Sequence, residues 1–142
     1  MIVVLVGRVT GGFGQASGNL AAVAALVCRR MGLPRYHPGT LNVRLNAPYF
    51  VEPEAEIAAA EYHGWERLLL RRCCIGGVRG VIVRPETHHT GNGHGPACLE
   101  ILAEVHLRTA LALADNDIVE VTTGGVLPCW PDPPRDQAAC GS

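Results

Sequence analysis

The stretch Trp65-Glu66-Arg67-Leu68-Leu69-Leu70-Arg71-Arg72-Cys73-Cys74-Ile75-Gly76-Gly77-Val78-Arg79-Gly80-Val81-Ile82-Val83 decides the fold of this chain. Two β-prone runs, Trp65 to Ile75 and Val78 to Val83, flank two adjacent glycines, and a two-residue glycine link between such runs predicts a β-hairpin. Downstream, Cys98 to Val105 reads as a strand and Leu107 to Leu113 as a short helix. The turn Asp115-Asn116-Asp117 then leads into a last strand, Ile118 to Thr123. Upstream, Ile2 to Val9 is an apolar, β-rich run ended by Thr10-Gly11-Gly12, and Thr40 to Leu45 is a further strand. Ser17 to Met31 carries Leu20, Val23, Ala24, Val27 and Met31 at a helical period. Ser17 or Asn19 suits its start, and Arg29-Arg30 with Gly32 suits its end. The acidic, Ala-rich segment Pro48 to Glu61 predicts one short helix, Glu54 to Ala60. About six short strands and few helices predict a mainly β protein, a small closed β-barrel with helical insertions over residues 1–124. Beyond Gly124-Gly125 the composition turns to Pro, Gly and polar residues, which predicts a poorly ordered tail over 125–142.

Composition excludes several functions. The 142 residues are 48% apolar with a formal net charge of −1, which argues against a nucleic-acid binder that relies on a basic field. No apolar run approaches a membrane span; the longest, Leu20 to Val27, is only part of one. Met1 to Val6 lacks a charged leader region and a cleavage site, so it reads as a strand in a cytoplasmic protein. The six cysteines include no Cys-x-x-Cys pair, so reduced, packing cysteines are expected rather than a zinc site or a disulfide framework. All twelve permanent cations are arginines and lysine is absent. A Walker loop and a protein-kinase site both need a lysine, so both are excluded. Phosphate chemistry here must use backbone N–H groups, arginine and a metal.

Several patterns could carry such chemistry. Gly11-Gly12-Phe13-Gly14 lies between a strand and a helix, where its amides could meet phosphate or simply make a tight connection. Pro38-Gly39-Thr40-Leu41-Asn42 opens a strand in which Thr40 and Asn42, two apart, share a face. Their hydroxyl and amide oxygens are hard neutral donors suited to Mg²⁺, or they form one polar face of a strand. His88, His89 and His94 lie in a Gly-rich loop, as irregular metal ligands or as solvated residues. Glu100 faces away from Leu99 and Ile101, toward a cavity or toward solvent. Arg108 could hold phosphate in a bidentate fork or pair with Glu104 at i, i+4.

Taken in order, these segments resemble the archaeal-type CTP-dependent riboflavin kinases. The matching stretches are Gly7 to Gly14, Tyr36 to Leu45, Val83 to His89, Leu99 to Ala103, Leu107-Arg108 and Asp115 to Glu120. The resemblance implies a cradle-loop β-barrel and transfer of the γ-phosphate of CTP, or another NTP, to the 5′-hydroxyl of riboflavin, giving FMN and CDP. It implies nucleotide contacts at Gly12, Phe13, Gly14, Gln15, Ala16 and Ser17, and at Val105, His106, Leu107 and Arg108. Mg²⁺ ligands fall on Thr40 and Asn42, and flavin contacts on Thr87 and Glu100, with Glu100 also a candidate base. The implied partners are riboflavin and CTP, with no nucleic acid or membrane, and the expected state is a monomer. The rival reading is a non-catalytic flavin- or nucleotide-binding barrel.

Overall fold

The computed structural model describes residues 1–11, 20–90 and 95–131. Its strands are β1 (Val3–Thr10), β2 (Leu41–Leu45), β3 (Ala55–Ile57), β4 (Leu68–Ile75), β5 (Val78–Pro85), β6 (Cys98–Ala103) and β7 (Ile118–Thr123). Six of them close into the antiparallel barrel that the sequence predicts, in the order β4-β5-β6-β2-β1-β7. The ring is completed where β7 returns to β4 through Cys73↔Thr123, Cys74↔Thr122 and Ile75↔Val121. The predicted hairpin is β4–β5. Gly76 and Gly77 both take positive φ, +56° and +79°, as a primed two-residue turn requires. β3 lies on the first half of β4, along the edge that β7 occupies further on.

Alternation along the strands builds two cores. Val9, Val43, Cys73, Ile75, Ile82, Leu99, Ile101 and Val121 fill the barrel. Their neighbours Leu68, Leu70, Cys74, Val81 and Leu102 point outward and form a second core with α1 (Leu20–Met31), Leu127 and Trp130. The apolar stripe of α1, Val23, Ala24, Val27, Cys28 and Met31, meets them at helical spacing. Burial on both faces explains why β4 reads Leu-Leu-Leu and Cys-Cys-Ile without clean alternation. Gly32, at φ +81°, ends the helix, and its amide returns to Cys28 O at 2.9 Å.

Buried Arg84 ties the walls together. Its guanidinium donates to the carbonyls of Tyr49 at 2.6 Å, Cys98 at 2.9 Å and Pro96 at 3.3 Å. Burial pushes its pKa down to about 10, so it stays charged at neutral pH.

Four expectations are corrected. Glu54 to Ala60 is not a helix: Ala55 to Ile57 pairs with Leu68 to Leu70, and only Ala59–Glu61 makes a 3₁₀ turn. Ile57 is fully buried, so the open edge of β4 outweighs the helical preference of the alanines. The cysteines are not all reduced, because Cys74 and Cys129 form a disulfide across 6.1 Å between Cα atoms. Alternation separates the adjacent pair, sending Cys73 into the barrel and Cys74 out toward that partner. Packing continues past the glycine pair, since Leu127 and Trp130 are buried in the outer core. Residues 132–142 of the expected tail lie outside the described residues. Finally, the loop at Thr87 begins in a 3₁₀ turn, Glu86–Thr90, with His88 buried rather than solvated.

Trp130 anchors this last segment. Its indole N–H is shared by Cys73 O at 2.9 Å and Gly80 O at 3.1 Å, and the guanidinium carbons of Arg72 and Arg79 lie 5.7 and 5.3 Å from its ring centroid. Truncating a buried aromatic of this kind costs about 3–5 kcal/mol. Trp130→Ala is therefore expected to lower the urea midpoint by that amount of stability with an unchanged slope. An unchanged midpoint would show that the segment is not part of the fold.

Candidate active site

Alternation also decides which residues of β2 and β6 face outward. Leu41, Val43 and Leu45 enter the barrel core, as do Leu99, Ile101 and Ala103, so Asn42 and Glu100 lie on the outer face. Register then aligns them, because Thr10 of β1 faces Asn42, and Asn42 faces Glu100. Direct partners on one face stand about 4.5–5.5 Å apart at Cβ. Thr40, one residue before β2, completes the group by donating its hydroxyl to Glu100 Oε1 at 3.3 Å. The structure thus brings together three predicted residues, Thr40, Asn42 and Glu100, and adds Thr10.

The electrostatics of this row suit a cation and an anion together. Asn42 Oδ1 is buried with no hydrogen-bond partner. An unpaired buried acceptor costs about 1–3 kcal/mol, so the oxygen is better explained as a ligand donor than as packing. Thr40 and Asn42 offer the neutral oxygens Mg²⁺ accepts, with Glu100 beside them. Among the described residues no group of three or more His, Cys, Asp or Glu could hold a metal, and His94 of the His-rich loop lies outside them. In the next row Arg8 faces Arg44. Like charges directly opposite repel, and an anion beside them relieves that cost.

A cavity of about 160 Å³ adjoins the row. Its walls include His37, Thr40, Val105, His106, Leu107 and Arg108, so the second predicted nucleotide segment meets the Pro-Gly-Thr turn. The backbone explains the meeting: His37 N donates to Ala103 O at 2.8 Å, holding the turn against the end of β6. The rings of His37 and His106 pack with centroids 4.7 Å apart. His106 precedes α2 (Leu107–Ala110), and its Nδ1 lies 2.6 Å from Thr109 Oγ1. Leu107 turns into the barrel core.

Arg108 does not pair with Glu104, which instead engages Arg79 at 2.6 Å and Arg35 at 3.7 Å. Its Nη2 bonds Asp115 Oδ1 at 2.6 Å and Thr10 O at 3.1 Å. A larger groove of about 670 Å³ lies by Gly76, Gly77, Glu120 and the Cys74–Cys129 bond. Glu120 is its only charged lining residue among those described, so size alone does not mark the site. Thr87 is exposed at the far end of β5 and does not line the smaller cavity; its amide donates to Glu66 Oε1 at 2.7 Å. Gly12 to Ser17 lie outside the described residues. Sequence reasoning missed Thr10, His37 and Asp115. Thr10 could have been found only from the β1–β2 register.

The closed antiparallel barrel thus carries a polar outer row beside a cavity that Leu41, Ile101 and Ala103 of the barrel core also line. Residues 9–123 match the family model CTP-dep_RFKase, described as domain of unknown function DUF120. The chain belongs to this CTP-dependent riboflavin kinase domain family. It is 37% identical over 97 residues to a riboflavin kinase of Methanocella arvoryzae, covering 66% of this chain and 43% of that protein. A riboflavin kinase of Pyrobaculum arsenaticum is 32% identical over 131 residues, 82% of this chain and 59% of the relative. One of Staphylothermus marinus is 27% identical over 124 residues, 85% of this chain and 92% of the relative. The chain thus spans about half the length of the first two.

Burial pushes the Glu100 carboxyl up from its ordinary value, and the Thr40 hydroxyl opposes this in part. A carboxyl raised in the folded state resists ionisation there, so at neutral pH it subtracts from stability. That deficit shrinks as pH falls through the folded pKa toward the unfolded value near 4.5. Metal-free Glu100→Gln is expected to melt above the unsubstituted protein at pH 7, with the gap closing toward about pH 4. A gap that does not change with pH would contradict the assignment.

Proposed function

We propose that this chain transfers the γ-phosphate of CTP to the 5′-hydroxyl of riboflavin, giving FMN and CDP, with Mg²⁺ as its metal. The observation that carries the reading is the buried, unpartnered Asn42 Oδ1 on the row shared with Thr40 and Glu100. Phosphoryl transfer asks mainly for positioning and charge stabilisation, which a row of fixed oxygens and arginines can supply. Thr40 and Asn42 are the residues that would hold Mg²⁺, which when bound neutralises phosphate charge. Gly12, Phe13, Gly14, Gln15, Ala16 and Ser17, which follow β1 in the sequence, contribute further nucleotide contacts. Val105, His106 and Arg108 border the cavity beside Thr40 and hold the nucleotide, with Arg108 meeting charge that develops on the phosphates.

Glu100 orients the ribityl chain and takes the proton of the 5′-hydroxyl. As that oxygen bonds to the γ-phosphorus, the bond from this phosphorus to the bridging oxygen of the β-phosphate breaks, and CDP leaves. Burial makes Glu100 a stronger base than an exposed glutamate, which suits proton acceptance. Thr87 supplies a second flavin contact. The protein acts as a cytoplasmic monomer.

The test is incubation with riboflavin, Mg²⁺ and each nucleoside triphosphate in turn, with FMN as the readout. Asn42→Ala is expected to lose about 100-fold or more in metal-dependent kcat/KM. It is also expected to melt no lower than the unsubstituted protein, because the substitution removes a buried acceptor that has no partner. Wild-type turnover in the variant would remove Asn42 from the site. No FMN from any donor, with riboflavin or nucleotide still bound, would favour a non-catalytic binding barrel.

A further inference from the structure

We infer that Asp115 is a positioning residue for the nucleotide: it fixes the guanidinium of Arg108 between α2 and the end of β1, at the wall of the cavity. The inference rests on the nucleotide reading of that cavity. Arg108 is a long side chain on a four-residue helix, and by itself it would sample many rotamers. Two bonds fix it, one to the Asp115 carboxylate at 2.6 Å and one to the Thr10 carbonyl at 3.1 Å. Both use Nη2, and Nη1 and Nε have no hydrogen-bond partner among the described residues. A planar fork held along one side keeps its other donors aimed, which is what phosphate recognition requires of arginine.

The turn that carries Asp115 is itself tied to β1. Asn116 N donates to Val9 O at 2.7 Å, Val9 N to Asp117 O at 2.9 Å, and Arg8 Nη1 to Asn116 O at 3.2 Å. Asp117 Oδ2 accepts Ala114 N at 2.8 Å. None of these bonds uses the Asp115 side chain, so the turn survives its substitution. Nor does the ion pair matter much to stability, because the Asp115 side chain is 64% exposed and pairs of that kind contribute little. What remains is orientation: one carboxylate links the cation of the cavity to the strand that carries Thr10 and leads into the predicted nucleotide turn.

The experiment is titration of the purified protein with CTP in the presence of Mg²⁺, and separately with riboflavin, for wild type, Asp115→Asn, Asp115→Glu and Arg108→Gln. Loss of a charge-assisted bond predicts roughly tenfold weaker CTP binding in Asp115→Asn. Riboflavin affinity is expected to hold, and Asp115→Glu to recover part of the loss. Adding Asp115→Asn to Arg108→Gln is expected to weaken CTP binding no further, since both changes remove one interaction. Tighter CTP binding in Asp115→Asn would mean that the carboxylate withholds Arg108, and overturns the inference. Unchanged CTP binding, or an equal loss for riboflavin, overturns it too. A wild-type protein that binds no CTP overturns it together with the nucleotide reading.

Discussion

The return of β7 to β4 is the constraint on which the rest of this protein depends. Thr123, fully buried at that seam, donates to Arg72 O at 2.7 Å and accepts from Arg71 Nε at 3.1 Å. Arg71 also reaches Glu52 O at 2.6 Å, so one side chain joins the seam to the segment before β3. Closure leaves the ring of six strands without an open edge, and it fixes which residues face inward. A slip of one residue would exchange the inner and outer sets of a strand. Asn42 and Glu100 would then enter an apolar core, and Val43 and Leu99 would face solvent.

That fixed alternation gives the barrel its division of labour. The inside is filled by apolar side chains from every strand of the ring. The outer face is divided: Leu68, Leu70, Val81 and Leu102 share a core with α1, Leu127 and Trp130, whereas the row Thr10, Asn42 and Glu100 is polar. The Cys74–Cys129 bond and Trp130 bind the chain beyond β7 to the covered region. Cys73, one residue away but inside, has its thiol pushed up by burial and is chemically quiet.

Much of this was legible in the sequence because it is local. Gly76-Gly77 marks its own turn, Ile118 to Thr123 alternates on its own, and the spacing of Val23, Ala24, Val27 and Met31 needs no partner to read as a helix. What was not legible is pairing between distant segments. Ala55 to Ile57 becomes a strand only because β4 offers an edge, and Cys74 finds Cys129 only because alternation turns it outward. The site divides the same way. Thr40 and Asn42 announce themselves by a two-residue spacing and Glu100 by its apolar neighbours, but their alignment comes from the β2–β6 register. Arg108 reads in the sequence as a phosphate fork or as a partner for Glu104 four residues back, and its bond to Asp115 across the following turn was not legible there.

The central claim is that the outer row beside Thr40 is where metal and nucleotide meet, and the larger groove by the disulfide is not. Crystals grown with CDP and Mn²⁺ in place of Mg²⁺ test it most directly through the anomalous signal of the metal. The account predicts a peak beside Thr40 Oγ1 and Asn42 Oδ1, with the diphosphate against Arg108. A peak in the groove by Glu120, or nucleotide density with no metal near Asn42, would contradict it.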